Sequence, residues 1–194
     1  MFIELLLICF ISYIFGSIPS GYIIGKLKGV DLRSKGSGNI GASNAFRVLG
    51  KKEGIMTLLF DMLKGFIPTI LIWIFFKNQN FTELGALFTV LGHDFSVFLK
   101  FRGGKGVATS YGVSLFFSIY SLIGIFLWIT ILKLTKYASL ASILSFLVVT
   151  TIIFFINNNA KFLFLVLFIL ILIKHYQNIK RLVLGQEHTI TGGN

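Results

Sequence analysis

Two stretches carry the residue types that could do chemistry: Ser34-Lys-Gly-Ser-Gly-Asn-Ile-Gly-Ala-Ser-Asn-Ala-Phe-Arg47 and Phe101-Arg-Gly-Gly-Lys-Gly-Val-Ala-Thr109. Each sets glycines beside a cation, between segments apolar enough to cross a bilayer. Flexible backbone turns successive N–H groups toward one point, and an adjacent Arg or Lys adds full charge, so both read as anion or phosphate cradles. In the first, Ser37, Asn39, Ser43 and Asn44 offer hydroxyl and amide donors, and Arg47 offers a planar fork suited to phosphate. In the second, backbone N–H groups at a helix start, with Lys105 alongside, form an anion site through the helix dipole and its unpaired donors. Two cradles suggest two anionic substrates.

Other polar groups stand at helical spacing. Asp61 and Lys64 lie three apart, share a face and can pair, either as a helix-packing ion pair or as a substrate contact. His93-Asp94 ends one apolar run, as a helix-end hydrogen bond or an acid–base pair. Ser139 and Ser142 begin a helix, where hydroxyls cap it or reach a ligand. His175 and Asn178 fall on one face of a final helix.

The elements that must position these groups are membrane helices. The chain has 194 residues, 55% hydrophobic and 13% charged, with 22 Phe and a mean hydropathy of +0.86. That composition excludes a soluble domain and predicts a single membrane-embedded domain over residues 1–194. Apolar runs cover Met1–Gly25, Gly54–Phe76, Phe81–Leu99, Val107–Leu132, Ala138–Ile156 and Phe162–Ile173. The first run has Glu4 and no cation ahead of its apolar core, which predicts a retained helix rather than a cleaved leader. Pro19 and Pro68 predict a helix-end adjustment and a kink.

Net charge +11 would suggest nucleic acid for a soluble protein, but here its distribution reports topology. Fifteen of the 18 Lys and Arg fall in segments 26–53, 100–105, 133–136 and 174–181, which the positive-inside rule places in the cytoplasm. A single crossing by Val107–Leu132 would put the later basic segments outside. Its 26 residues make ~39 Å of straight helix, long for one span and short for two. Two short or tilted crossings restore every segment. The expected fold is therefore an all-α polytopic bundle of seven transmembrane helices, amino end outside and carboxyl end cytoplasmic, with five or six spans as alternatives.

Some chemistries are excluded. Gly36-x-Gly38-x-x-Gly41 matches the dinucleotide fingerprint in letters, but a membrane helix and a basic loop precede it instead of a strand. Gly103-Gly104-Lys105-Gly106 lacks the spacing and hydroxyl of a nucleotide triphosphatase loop. His93, His175 and His188 show no metal-ligand spacing, and the single Cys9 builds no cluster, so no metal or other cofactor is expected.

Taken in order, Gly16-Ser-Ile-Pro-Ser-Gly-Tyr22, Gly36 through Arg47, Asp61-x-x-Lys64-Gly65, Leu91-Gly-His93 through Thr109, Lys136 through Ser142 and His175-x-x-Asn178-Ile-x-Arg181 span nearly the whole chain. This pattern resembles the bacterial membrane acyl-phosphate:glycerol-3-phosphate acyltransferases of the PlsY type. The resemblance implies acyl transfer from acyl phosphate to the 1-hydroxyl of glycerol 3-phosphate, giving 1-acylglycerol 3-phosphate (lysophosphatidic acid) and phosphate, the first step of phospholipid synthesis. It implies seven helices in the bacterial cytoplasmic membrane with the active site facing the cytoplasm, and no acyl-enzyme. Implied partners are the two substrates, membrane lipids and the enzyme that makes acyl phosphate, with no nucleic acid. By position, Ser37, Arg47, Lys105, His175 and Asn178 match the catalytic polar residues. Asn39, Asn44, Gly103, Gly104, Gly106, Ser142 and Glu187 match substrate-binding positions, the glycines being associated with acyl phosphate. Ser43 stands where the family usually has Thr, Arg102 where Lys is common and Lys174 where Arg often occurs, each keeping the hydroxyl or charge.

Acyl-CoA-dependent relatives carry His-x-x-x-x-Asp, whereas the fifth positions after the three histidines here hold Phe98, Lys180 and Gly193. A membrane transporter of phosphate or organophosphate is the rival reading. Transporters place binding groups near the midplane between repeated halves, while these polar clusters gather at one face.

Overall fold

The computed structural model describes residues 2–191, so Gly193 of the absent acyl-CoA motif lies outside the described residues. Among those residues every regular element is helical. The order is α1 (Phe2–Ser17), α2 (Ser20–Leu27), α3 (Ala42–Leu49), α4 (Lys51–Phe76), α5 (Gln79–Asp94), α6 (Val107–Phe117), α7 (Ser121–Thr135), α8 (Ala138–Phe155), α9 (Lys161–Lys174) and α10 (Tyr176–Val183). Phe2–Leu27 taken through its break, α4 and α8 are each long and apolar enough to cross a membrane; α9 with α10 qualifies as a pair bent by 60°.

The long fourth apolar run does break. It divides at Ser118–Tyr120 into α6, of 11 residues, and α7, of 15. Pro19 sits in the break between α1 and α2, where it lacks the N–H that would continue the ladder, and Pro68 is carried inside α4. One element was not anticipated: the first cradle winds into the short helix α3 before α4 begins.

Lipid tails give no hydrophobic drive for helices to associate, so close backbone approach must supply packing. Two reciprocal pairs do this. A Cβ on Gly16 of α1 would overlap Thr89 O of α5, and one on Gly92 of α5 would overlap Tyr13 O of α1. Likewise Gly65 of α4 faces Thr109 O of α6, and Gly112 of α6 faces Met62 O of α4. A separate apolar core forms where Phe146, Val149 and Ile153 of α8 meet Phe164, Leu167 and Ile171 of α9, with Tyr111 bonded to Ser145 at 2.7 Å. Exposed Phe2, Phe10, Leu59, Phe75, Phe126 and Phe155 belong to the outer apolar surface.

The four basic segments converge at one end of the bundle. Ile190 N donates to Lys136 O at 2.9 Å, Arg47 Nε to Thr189 O at 2.9 Å, and Lys105 Nζ to Asn178 Oδ1 at 2.5 Å.

Candidate active site

The first cradle is wrapped around one side chain. Asn44 is 1% exposed; its Nδ2 donates to Leu32 O, Lys35 O and Asn39 O at 2.8–3.1 Å, and its Oδ1 accepts from Ser37 N at 2.9 Å and Arg47 Nη1 at 3.2 Å. Its amide is thus committed to the loop's own backbone. Gly38 turns through φ +72, a left-handed conformation natural to glycine, and Asn39 Oδ1 accepts from Gly41 N at 2.7 Å. This local folding leaves Ser37 and Asn39 facing inward at the bundle's end.

Arg47 follows on α3, half-buried, with Nε on Thr189 O and Nη2 3.5 Å from His188 O. The carboxyl-terminal strap therefore orients it. Burial, chiefly, pulls Arg47 below its ordinary pKa, with Glu187 opposing; an arginine stays charged regardless.

The second cradle turns sharply. Lys100 and Phe101 are consecutive non-glycine residues with positive φ (53 and 62), held by Phe101 N to Ser96 O at 2.8 Å and Arg102 N to Leu99 O at 3.1 Å. Two such residues cost about 1 kcal/mol or more each, which only a firmly supported loop sustains. Gly106 (φ +71) then leads into α6, and the buried Asp94 carboxylate lies against it. The helix start that the sequence offers to an external anion thus has an acidic side chain of the same protein behind it. Asp94 and His93 do not bond to each other, because successive residues on a helix diverge by about 100°; His93 turns to Asp61 instead, at 3.5 Å.

Lys105 leaves this loop for Asn178 Oδ1. Burial, chiefly, pushes its pKa down to about 8, aided by Arg181, Arg47 and Lys174 and opposed by Glu187. Asn178 Nδ2 passes on to Glu187 Oε1 at 2.6 Å, which also accepts from Ser139 Oγ at 3.1 Å, while Glu187 Oε2 binds Arg181 Nε at 2.9 Å. His175 sits at the α9–α10 bend with Nδ1 2.8 Å from Ile171 O. That carbonyl can only accept, which places the proton on Nδ1 and leaves Nε2 as an acceptor.

Two cavities meet here. An inner one of about 170 Å³ is lined at its polar end by Ser37, Asn39, Asn44, Arg47, Lys105, Gly106, Ser142, His175, Asn178 and Glu187. An outer, more open one of about 820 Å³ is lined by Arg33, Gly103, Arg102, Lys174 and Arg181. Both share Ser37, Asn39, Lys105 and Asn178, so the Lys105–Asn178 bond stands at their junction. Gly104 lines neither and lies against the His93 ring. The sequence-predicted residues are therefore brought together, but unequally: Asn44 and Glu187 are tied to the chain itself. Ser142 Oγ donates to Ala138 O at 2.7 Å and accepts from Trp128 Nε1 at 3.0 Å, so it caps nothing and its proton is engaged. Ser139 serves Glu187 rather than a helix cap.

Sequence reasoning missed the inner cavity's apolar limb, formed by Leu58, Met62, Tyr111, Ile125, Trp128 and Ile129. Among so many apolar residues no spacing distinguishes these from lipid-facing ones. Only the hydrogen bond from Trp128 Nε1 to Ser142, fourteen residues on and visible after folding, sets that position apart.

A helical membrane bundle that gathers cations and oriented amides around two joined cavities at one end defines a membrane-embedded protein for small anionic molecules with an apolar part. Comparison with known proteins narrows this class. A family described as glycerol-3-phosphate acyltransferase matches residues 6–185. Curated relatives of that name include proteins from Pseudothermotoga lettingae, 44% identical and covering 94% of this chain and 92% of that relative, and Trichlorobacter lovleyi, 42% identical and covering 91% and 92%. Two solved structures of PlsY, an integral membrane glycerol 3-phosphate acyltransferase, in its glycerol 3-phosphate and lysophosphatidic acid forms, match with TM-scores of 0.91 and 0.89 at 40% and 39% identity, each covering 96% of this chain and 95% of its own. The chain belongs to the glycerol-3-phosphate acyltransferase family, and within it is of the PlsY type.

Proposed function

We propose that this acyltransferase takes its acyl group from acyl phosphate and places it on the 1-hydroxyl of glycerol 3-phosphate. The observation that carries the reading is the position of Lys105 and Asn178 between two cavities, each with its own cations. One site then holds two phosphorylated molecules with their reacting ends at a shared cation. The apolar limb suits a fatty chain, and the open basic cleft suits small polar anions from water.

In the reaction the glycerol oxygen attacks the acyl carbonyl carbon; the new ester C–O bond forms and the mixed-anhydride C–O bond breaks, releasing phosphate. Phosphate is already a good leaving group, so the protein's task is to hold two anions close and stabilise charge developing on the carbonyl oxygen. Lys105 and the backbone N–H groups of Gly103, Lys105 and Gly106 take that role, with Ser37, Asn39 and Arg47 holding phosphate. The hydroxyl proton passes to an oxygen of the substrate phosphate. The runner-up acceptor is His175 Nε2; near-normal turnover in His175→Gln would remove that alternative.

The converging basic segments and the split fourth run support seven spans in one domain, in the bacterial cytoplasmic membrane, with the amino end outside and the site facing the cytoplasm, where the enzyme making acyl phosphate would deliver it. To test the donor, purified protein in liposomes is given labelled glycerol 3-phosphate with palmitoyl phosphate, palmitoyl-CoA or palmitoyl-carrier protein separately. Labelled lysophosphatidic acid from palmitoyl phosphate alone is expected; equal product from palmitoyl-CoA would overturn the reading.

A further inference from the structure

The apolar limb of the inner cavity has a floor. Val107, Ala108 and Tyr111 line it from one face of α6, and beyond Tyr111, away from the polar end, nothing continues it. The next residue, Gly112, lays α6 on α4, where a Cβ would overlap Met62 O. A Cβ on Gly124 of α7 would overlap Val149 and stand 2.8 Å from the Tyr111 hydroxyl.

The limb is also shut toward α8. Tyr111 donates to Ser145 Oγ at 2.7 Å and Trp128 Nε1 to Ser142 Oγ at 3.0 Å. Residues three apart share a helix face, so one face of α8 pins both rings. Tyr111 meets Phe146 edge-on behind them, with ring centroids 5.3 Å apart. The side that remains lies between α4 and α7. There α4 packs on α3, α5 and α6 while α7 packs on α8, with little contact between α4 and α7 themselves. Leu58 and Met62 of α4 and Ile125 of α7 are half-buried where they line the limb, and Ile129 is exposed.

Depth decides what such a limb can hold. Gly106, at the reacting end, and Tyr111 are five residues apart on the chain, or ~7.5 Å of helical rise. The chains of one leaflet fill about half of a hydrocarbon core ~30 Å thick, so a common fatty chain reaches ~15 Å. It is about twice as long as the limb is deep.

We propose that Tyr111 is a specificity-determining residue: the limb takes roughly the first half of the acyl chain, and the Tyr111 ring turns the remainder out between α4 and α7 into the bilayer. Chain shape is then read close to the carboxyl end, and the far end meets only lipid. The inference rests on the fatty-chain reading of the limb given above, and not on which phosphorylated group the glycine loop holds.

The test offers protein in liposomes two isomers of methyl-branched palmitoyl phosphate, one branched at the sixth carbon and one at the fourteenth. Equal carbon number makes them partition alike into lipid. The ratio of kcat/KM for the distal over the proximal isomer is read within one preparation, so any loss of folded protein cancels. Wild type favours the distal isomer by about tenfold, the usual cost of one extra methyl group in a closed apolar pocket. Tyr111→Leu brings the ratio within about twofold of one, and Ala108→Leu, which narrows the limb above the floor, raises it. A ratio near one in the wild type, or one that Tyr111→Leu leaves unchanged, would overturn the role of Tyr111. Should Tyr111→Leu not accumulate, Ala108→Leu carries the test, and an unchanged ratio there counts against the proposal. If Ala108→Leu alters kcat/KM for neither isomer, the chain lies elsewhere and the fatty-chain reading of the limb fails as well. If palmitoyl phosphate itself gives no product, the donor reading fails instead, and the same isomers are offered as acyl-CoA.

Discussion

Lys105 Nζ reaches Asn178 Oδ1 at 2.5 Å across 73 residues of chain, joining the glycine loop before α6 to the last helix. The Asn178 amide has both ends engaged, with Glu187 on its Nδ2, and this fixes which atom faces the lysine. Asn178→Ala frees Lys105 from that direction and is expected to lower kcat/KM by about 10²-fold, as loss of one aligned polar group does elsewhere. Steady-state kinetics with both substrates measure it; a loss under threefold would separate the pair from turnover.

Glu187 accepts from Asn178, Ser139 and Arg181 while only 7% exposed. Its carboxylate is therefore structural in this geometry, although the family pattern suggests substrate binding. Glu187→Ala leaves Arg181 and Asn178 without their acceptor and should cost about 3 kcal/mol. A thermal melt in detergent should fall by several degrees, while a melt at the wild-type temperature with a raised glycerol 3-phosphate KM would restore the substrate-binding role.

The pH profile should carry the mark of Lys105. Its pKa is pushed down to about 8, so its charge is complete well below that and lost as pH rises through it. On the proposed role, in which the charged form binds the anions, kcat/KM for acyl phosphate is expected to fall above about pH 8. Lys105→Arg keeps its charge and should remove that alkaline limb at a lower plateau. The effect on folding has the opposite sign: the unfolded lysine binds a proton up to its ordinary value, so stability from this group rises with pH between about 8 and 10.5.

Gly112 and Gly65 let α4 and α6 approach backbone to backbone, with Met62 O and Thr109 O where a Cβ would stand. Gly112→Leu forces these helices apart, at a cost of about 3 kcal/mol or more. Because Met62 and Ala108 line the inner cavity, activity should fall with stability. A variant with the wild-type melting temperature would contradict the close packing.

Much of this was readable in the residues because membrane constraints are strict. Apolar length and the placement of cations predicted helices, the break within Val107–Leu132, and the clustering of polar loops at one face. The Asp61–Lys64 pair followed from helical spacing, and it forms at 2.8 Å. What spacing could not show was how each polar side chain divides its bonds. Asn44 and Ser37 look alike as donors in a glycine-rich loop, yet Asn44 is buried in backbone bonds and Ser37 faces both cavities. His93 and Asp94 read as a pair because they are neighbours, but helix geometry sends them apart. The apolar limb around Trp128 carried no signal, since apolar residues there are also what lipid requires.

The central claim is that Lys105 serves both phosphorylated substrates from the junction of two cavities. The most direct measurement compares wild type with Lys105→Ala in liposomes, varying palmitoyl phosphate and glycerol 3-phosphate independently. The account predicts that KM rises for both substrates and that kcat falls by about 10²-fold, because the same charge faces both anions and the reacting carbonyl. A variant with wild-type kcat and a raised KM for only one substrate would contradict it, and would assign Lys105 to a single cavity.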